Sequence, residues 1–156
     1  GQPKRERSEA VSAAPNCYVA KEIAVKKERA EKANQFLEVI AGCGRKFFAH
    51  NGRVSRFEVD DRGRVWYIDG YSQRRIYTHY KYQWRGFTEG GTLFDLVKKL
   101  RDYIRTGELP RLHLGPYPEW ICGSDPWAYG DDMKKVRAGA ERCGLVPHNT
   151  GINARA

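Results

Sequence analysis

Three short segments rich in aromatic and β-branched residues lie in succession between residues 54 and 80, and they constrain the fold more than any other feature. They span residues 54–59, 64–69 and 75–80. Asp-Asp-Arg-Gly at 60–63 separates the first two, and Asp-Gly-Tyr-Ser-Gln at 69–73 separates the last two. Asp, Gly and Ser favour tight turns, so the pattern predicts an antiparallel meander. Residues 83–87 would add a possible fourth strand at the edge.

A helix is predicted on each side of the meander. From about residue 20 to 41, apolar residues recur every three or four positions, and Gly42 or Gly44 would end that helix. After two glycines at 90–91, Thr92 and Asp95 match a capping box, and Gly107 would end the second helix. Its apolar stripe consists of Leu93, Leu96, Val97, Leu100, Tyr103 and Ile104. A three-stranded meander is not stable alone, so this stripe is expected to cover it.

The remaining segments complete the predicted organisation. Residues 108–130 contain four prolines together with aromatic residues, which predicts an ordered loop lying across the core. A short last helix is predicted from about 131 to 143, with Met133, Val136 and Ala140 facing inward and Gly144 as its stop. We therefore predict an α+β fold: a helix, a meander of three or four strands, a helix, an aromatic and Pro-rich loop and a short C-terminal helix. Residues 1–18 would form a mobile N-terminal arm, 19–145 a single α+β domain and 146–156 a flexible tail.

Positive charge is concentrated in one part of this domain, the basic core module at residues 45–111. That module contains fifteen Lys and Arg against eight Asp and Glu, an excess of +7. The segment before it has an excess of +2, and the segment after it is neutral. Charge focused on one module suggests a polyanionic partner, of which nucleic acid is the commonest.

Two candidate binding surfaces follow from this distribution. The first is the sheet, where arginines alternate with aromatic residues that can stack on unpaired bases. The second is the side of the second helix opposite its apolar stripe. Together with Arg85, the candidate residues are Arg56, Arg64, Trp66, Arg74, Arg75, Tyr77, Lys98, Lys99, Arg101 and Arg105. An alternative stays open in which Phe57, Trp66 and Ile76 are core and the arginines are only the solvated side of a half-buried sheet.

Catalytic and metal-binding motifs are not evident. Asp60 and Asp61 are explained as turn residues and Asp95 as a helix cap, although Glu58, Asp69 and His79 leave a nuclease as a weaker alternative. The four cysteines lack the spacing of a zinc site, which favours reduced structural thiols. We expect no catalytic residue, metal or cofactor. No apolar run is long enough to span a bilayer and the start lacks the apolar region of a secretory signal, so we expect a cytoplasmic protein without a membrane partner.

Two resemblances add to this interpretation. The order helix, three strands, helix over residues 20–107 resembles double-stranded-RNA-binding domains in topology, but the basic residues at the second helix start do not match, so no residue role is transferred. More of the chain resembles small accessory proteins of bacteriophages and prophages, over about residues 45–145. The stretches that carry this resemblance are RVSRFEV (53–59), RVWYID (64–69), RIYTHY (75–80), WRGFTEGGTLFDLV (84–97), LRDYI (100–104) and LGPYPEWICGSDPWAYGDDM (114–133). It implies a bacterial cytoplasm infected by a phage and brings no catalytic residue with it.

These observations support two hypotheses about function. The first is a non-enzymatic phage-type accessory protein that binds nucleic acid, DNA or RNA, through the basic, aromatic-rich sheet and helix surface. The alternative is a phage-encoded inhibitor or adaptor that docks on a host nucleic-acid-handling protein, in anti-defence such as anti-CRISPR activity or in transcription takeover. It is motivated by Trp84, Trp120 and Trp127, which are expected to be exposed, because Trp and Arg dominate protein interfaces.

Overall fold

The predicted α+β fold is confirmed. The structure, a computed structural model, describes residues 2–81, 83–108 and 132–145. In chain order the elements are α1 (Gln2–Ala41), β1 (Ala49–His50), β2 (Arg53–Val54), β3 (Arg56–Val59), β4 (Val65–Ile68), β5 (Arg75–Tyr77), α2 (Gly91–Thr106) and α3 (Asp132–Arg142). The predicted aromatic loop, with Trp120 and Trp127, and the predicted tail at 146–156 lie outside the described residues.

The central sheet is an antiparallel meander in the order β3-β4-β5. Phe57 lies opposite Tyr67, and Tyr67 lies opposite Ile76 on the other side. These three side chains are buried, whereas their neighbours along each strand are half-buried or exposed. Because successive side chains point to opposite faces, one face of the sheet covers the core and the other faces outward.

The two long helices supply the rest of the core. Phe36, Leu37 and Ile40 of α1 and Leu96 and Leu100 of α2 are fully buried in one cluster with the inner face of the sheet. Val136 and Ala140 of α3 join the same cluster, as predicted. The helix stops at Gly42, Gly107 and Gly144 are also confirmed, and Gly107 and Gly144 have the positive φ that favours glycine.

Several boundaries differ from the prediction. Helix α1 begins at Gln2 and not at about residue 20, so residues 2–18, the predicted mobile arm, are helical. Their mobility stays a prediction. Helix α2 begins at Gly91 with Gly90 as its N-cap, which places Thr92 inside the helix. The predicted capping box between Thr92 and Asp95 is therefore wrong, because the extended backbone that a cap requires lies two residues earlier.

Two differences concern strands. The short β1-β2 hairpin was not predicted, although Asn51-Gly52 between the paired residues His50 and Arg53 is a strong two-residue hairpin signal, and both turn residues have positive φ. Residues 83–87 contain a turn, in which Phe87 N–H donates to the Trp84 carbonyl at 3.0 Å, and they do not form the predicted fourth strand. Among the described residues the sheet has three strands.

The two edges of the sheet differ in how their main-chain groups are hydrogen-bonded. At the β3 edge, the Asn34 side chain of α1 donates from Nδ2 to the Phe57 carbonyl at 3.0 Å and accepts from the Phe57 N–H at 2.6 Å. This amide therefore satisfies two of the main-chain groups that a further strand would use. At the β5 edge no strand pairs with Arg75–Tyr77 on the side away from β4, within the residues that the structure describes.

We expect Asn34→Ala to lower the free energy of unfolding by about 2 to 6 kcal/mol, because it leaves one N–H and one carbonyl of Phe57 without partners and each costs roughly 1 to 3 kcal/mol. Urea denaturation followed by circular dichroism measures this change. Glu31→Ala, at an exposed position on the same helix, is the matched control and should change stability by less than about 0.5 kcal/mol. Equal stability of the two variants would contradict the role given to Asn34.

Candidate functional site

A groove of about 540 Å³ lies along the open edge of β5. We call it the β5 groove. Its lining residues are Trp66, Arg74, Arg75, Ile76, Tyr77, Tyr80, Lys81, Gln83 and Arg85. Of the lining side chains in the described part of the chain, four are cationic, three are aromatic and none is a carboxylate. The volume is within the range of clefts that bind small ligands, which makes this groove the main candidate site.

The wall opposite β5 includes Tyr80, Lys81, Gln83 and Arg85, which follow the strand. Trp84 anchors this segment: its ring is 4% exposed and packs at 5.0 Å from Phe94 and 6.3 Å from Tyr67, measured between ring centroids. The Trp84 Nε1–H donates to the Tyr80 carbonyl at 3.2 Å. The expectation that Trp84 is exposed was wrong, because its ring completes an aromatic cluster beneath the sheet.

One end of the groove is closed at Gly86. The Ser72 hydroxyl donates to the Gly86 carbonyl at 2.6 Å, which holds residue 86 against the turn before β5. Gly86 has φ of 98°, and a Cβ at this position would lie 2.7 Å from the Arg74 side chain. Both conditions favour glycine, since other residues are strained at this φ and have no room here. The same contact fixes the stem of the Arg74 side chain at the groove.

A buried carboxylate supports this end. Asp69 is fully buried and accepts hydrogen bonds from the N–H groups of Tyr71, Ser72 and Thr88, at 2.8 to 3.0 Å. The Thr88 hydroxyl also donates to it. Asp69 thus joins the turn before β5 to the segment after Gly86, which is a structural role and leaves no free oxygen surface for catalysis.

The register settles which aromatics face outward. Phe57 and Tyr67 are buried, whereas Trp66 and Tyr77 lie side by side on the outer face with ring centroids 5.1 Å apart. The alternative interpretation was therefore right to place Phe57 and Ile76 in the core and wrong to place Trp66 there.

Two carboxylates neutralise much of the charge on this outer face. Glu58 pairs with Arg56 at 3.3 Å and with Arg75 at 3.2 Å. Asp60 pairs with Arg64 at 2.8 Å. Of the sheet arginines, Arg56 and Arg64 are thus held in ion pairs outside the groove lining, while Arg75 both pairs with Glu58 and reaches the groove.

Asp60 organises the turn between β3 and β4, as predicted for a turn residue. One oxygen accepts from the N–H groups of Arg62 and Arg64, and the other accepts from Arg64 Nε and from Trp66 Nε1 at 2.9 Å. Partial burial opposes ionisation, but the hydrogen bonds from Trp66 and Arg64 outweigh it and hold the pKa of Asp60 well below its ordinary value. The ionised carboxylate in turn orients the Trp66 ring at the groove.

The basic side chains of α2 are less available to a ligand than the sequence suggested. Arg101 has a side chain 14% exposed, donates to the Thr78 carbonyl, pairs with Asp102 at 2.7 Å and lies over the Trp84 ring. Its contacts are those of a structural residue that holds the chain after β5. Lys98 is half-buried with its ammonium 4.7 Å from the Phe94 ring centre. Lys99 is half-buried and Arg105 is exposed.

His79 lies between the groove aromatics and α2. Its ring stacks on Tyr77 with centroids 4.9 Å apart, and its Nε2 is buried without a hydrogen-bond partner. Burial first, and then the charges of Arg105 and Arg101, lower the pKa of His79 below its ordinary value. A neutral ring at neutral pH suits a stacking and packing role better than acid catalysis.

The β5 groove thus gathers part of the predicted site and adds to it. Of the predicted residues it contains Trp66, Arg74, Arg75, Tyr77 and Arg85. It adds Tyr80, Lys81 and Gln83, which the sequence interpretation missed as site residues although aromatic and basic residues continue directly after the strand. The helix residues Lys98, Lys99, Arg101 and Arg105 are not part of its lining.

Comparison with known proteins identifies the family. The family model named YoqU matches residues 24–152. The chain belongs to the YoqU family. No curated protein and no solved structure matches it. The match begins within α1, covers the whole groove and is consistent with the resemblance to phage-type proteins.

Other chemistries have little basis in the described part of this YoqU-family chain. Among its described residues, no group of three or more His, Cys, Asp or Glu side chains is placed to hold a metal ion. Cys43 and Cys143 are buried free thiols, and burial raises the pKa of each, which disfavours the reactive thiolate. None of the helices in the described ranges has the length and apolar character needed to cross a membrane.

The lowered pKa of Asp60 predicts how the stability of the protein depends on pH. A carboxyl group whose folded pKa is below its unfolded value of about 4 stabilises the fold above that value, and this contribution is lost as the pH falls below it. We therefore expect Asp60→Asn to be less stable than the parent protein at neutral pH, with the difference narrowing from about pH 5 to about pH 3.

Urea denaturation at each pH measures this difference. Asp61→Asn is the matched control, because Asp61 is fully exposed in the same turn and its one ion pair among the described residues is with Lys27 at 3.9 Å. A difference for Asp60→Asn that stays constant over this pH range would contradict the assignment.

Proposed function

We propose that this protein is a non-enzymatic phage-type accessory protein that binds nucleic acid in the β5 groove, in the cytoplasm of an infected bacterium. The observation that carries the proposal is the lining of the groove. Among the described residues, the lining has four cationic side chains, three aromatic side chains and no carboxylate. Of the four cations only Arg75 is paired with another described residue, Glu58 from outside the lining, whereas Glu58 and Asp60 also neutralise Arg56 and Arg64 on the neighbouring outer face.

The cationic groups suit phosphate binding. Arg75 is held in place, since its guanidinium lies 3.9 Å from the centre of the Trp66 ring and its Nε donates to Glu58. A planar guanidinium fixed in this way loses less conformational entropy when it makes paired contacts with phosphate. Arg74, Lys81 and Arg85 are exposed, and none forms an ion pair with another described residue. Their charges are therefore available to a polyanion.

A binding role has more support than cleavage. Asp69 and Asp60, two of the carboxylates nearest the groove, each accept several hydrogen bonds that build the turns, and His79 is held neutral by its surroundings. None of these groups has the combination of exposure and partner that general acid or base catalysis requires.

The host-protein alternative has lost part of its basis. It was motivated by three exposed tryptophans, and Trp84 is buried in the aromatic cluster. Trp120 and Trp127 lie outside the described residues. The groove favours nucleic acid as the partner, because its closely spaced cations match the regular negative charge of a phosphodiester chain.

The proposal is tested by fluorescence anisotropy with labelled DNA and RNA at increasing salt. We expect binding at low salt that weakens linearly in a plot of log affinity against log salt, because each neutralised phosphate releases counterion. The double variant Lys81→Gln/Arg85→Gln should bind at least about tenfold more weakly and reduce the slope by about 2, one for each lost contact.

The matched control is Lys21→Gln/Arg62→Gln, which removes the same charge at exposed positions outside the groove. It should affect binding much less. An absence of binding at low salt, or equal losses in the two double variants, would overturn the proposal.

A further inference from the structure

We infer that the ligand of the β5 groove is an unpaired nucleic-acid strand, bound along the open edge of β5 with a base stacked on Tyr80. This inference rests on the proposed function and names its substrate class. It depends on three independent features of the described residues: the free outward N–H groups of β5, the distribution of charge between the groove and the outer sheet face, and the exposure of one aromatic ring.

The main-chain groups of β5 follow from the register. Asp69 N–H donates to the Arg74 carbonyl and Thr78 N–H donates to the Val65 carbonyl, so residues 74, 76 and 78 face β4. In an antiparallel pair the alternate residues direct their main-chain groups the other way. The N–H groups of Arg75 and Tyr77 therefore point towards the groove, beside the cationic side chains, and are donors for phosphate oxygens.

The opposite edge shows that an open edge is not a general property of this sheet. At β3, Asn34 occupies the outward N–H and carbonyl of Phe57 with its own amide. Open edges are a liability that proteins usually cover. Here the chain turns directly after β5, with Tyr80 N–H donating to the Tyr77 carbonyl at 3.4 Å. The groove lies between β5 and the side chains of Lys81, Gln83 and Arg85, and no strand among the described residues pairs with the outward N–H groups of Arg75 and Tyr77. The arrangement suits an extended ligand that enters this gap.

The charge distribution argues against a duplex lying on the sheet. A duplex contacts protein through phosphates spread over a broad surface. The broad surface available is the outer face of the sheet, and there the Glu58 carboxylate stands between Arg56 and Arg75 while Asp60 holds Arg64. Cations that are unpaired among the described residues lie instead in the concave groove. A single strand can enter this groove, whereas the bases of a duplex are paired inside the double helix and cannot reach it.

Tyr80 is the aromatic residue of the groove that is most available for stacking. Trp66 is covered by the Arg75 guanidinium, and Tyr77 stacks on His79. Tyr80 is 58% exposed and meets Tyr77 edge to face, with ring centroids 5.4 Å apart. An exposed ring braced by a neighbouring ring is a suitable platform for an unpaired base.

The test is a comparison of single strands with duplexes by fluorescence anisotropy, using the full chain and labelled mixed-sequence oligonucleotides of about 12 nucleotides as DNA and as RNA. We expect the parent protein to bind at least one of the single strands more tightly than the duplex of the same sequence. Tyr80→Ala should weaken single-strand binding roughly 5- to 150-fold, the range found when a stacking aromatic is removed, and Tyr80→Phe should restore it.

Tyr18→Ala is the control, because Tyr18 is 69% exposed on α1, outside the groove, and should not change the affinity. Thermal unfolding by circular dichroism verifies that each variant is folded. Poly-glutamate, at the same concentration of negative charge as the oligonucleotide, serves as a competitor. It is an extended polyanion that has no bases.

Each outcome is distinct. Duplex binding as tight as single-strand binding, or no difference between Tyr80→Ala and Tyr18→Ala, would overturn this inference and leave the proposed function standing. Absence of binding to any oligonucleotide would overturn both. Displacement of the single strand by poly-glutamate as efficiently as by unlabelled oligonucleotide would also overturn both, since it would show that the open edge accepts an acidic peptide.

Discussion

The pairing of Asn34 with Phe57 is the contact on which the arrangement of this protein depends. It joins α1 to the β3 edge by two hydrogen bonds and so determines which edge of the sheet is closed. Two further side chains of α1 strengthen the attachment: Lys26 donates to the Gly63 carbonyl and Arg29 to the Ile104 carbonyl. Since α1 covers the β3 side of the sheet, the open main-chain groups beside the groove are the outward N–H groups of Arg75 and Tyr77 on β5.

The groove at the open side has an equally local cause. Trp84 is drawn into the aromatic cluster, Gly86 packs on Arg74, and Asp69 fastens the segment near Thr88 to the turn before β5. A segment held at both ends by these contacts cannot align as a fourth strand. The same contacts that prevented the predicted strand therefore created the concave surface and aimed three cations into it.

Local sequence signals predicted much of the fold and part of the site. The turns at 60–63 and 69–73, the presence of the three strands and the glycine stops of the helices were predicted, because turn and cap chemistry depends on neighbouring residues. The first strand begins two residues later than predicted and the third ends three residues earlier. The Asn51-Gly52 hairpin was overlooked although its signal was equally local. The true start of α2 was missed because Gly90 lacks the capping side chain by which such starts are recognised. The burial of Trp84 and the structural role of Arg101 were missed, because whether an aromatic or charged side chain is buried depends on elements distant in the sequence.

The sequence by itself determined that a basic, aromatic module with an excess of +7 would form a half-buried meander with a covering helix. Only the tertiary structure decided which cations are free. Glu58 reaches Arg56 two residues away and Arg75 two strands away, whereas Arg74, Lys81 and Arg85 meet at the groove without a carboxylate in its lining. The physical reason is that neutralisation requires contact within a few ångströms, and such contacts across strands depend on register and on the course of the segment after β5.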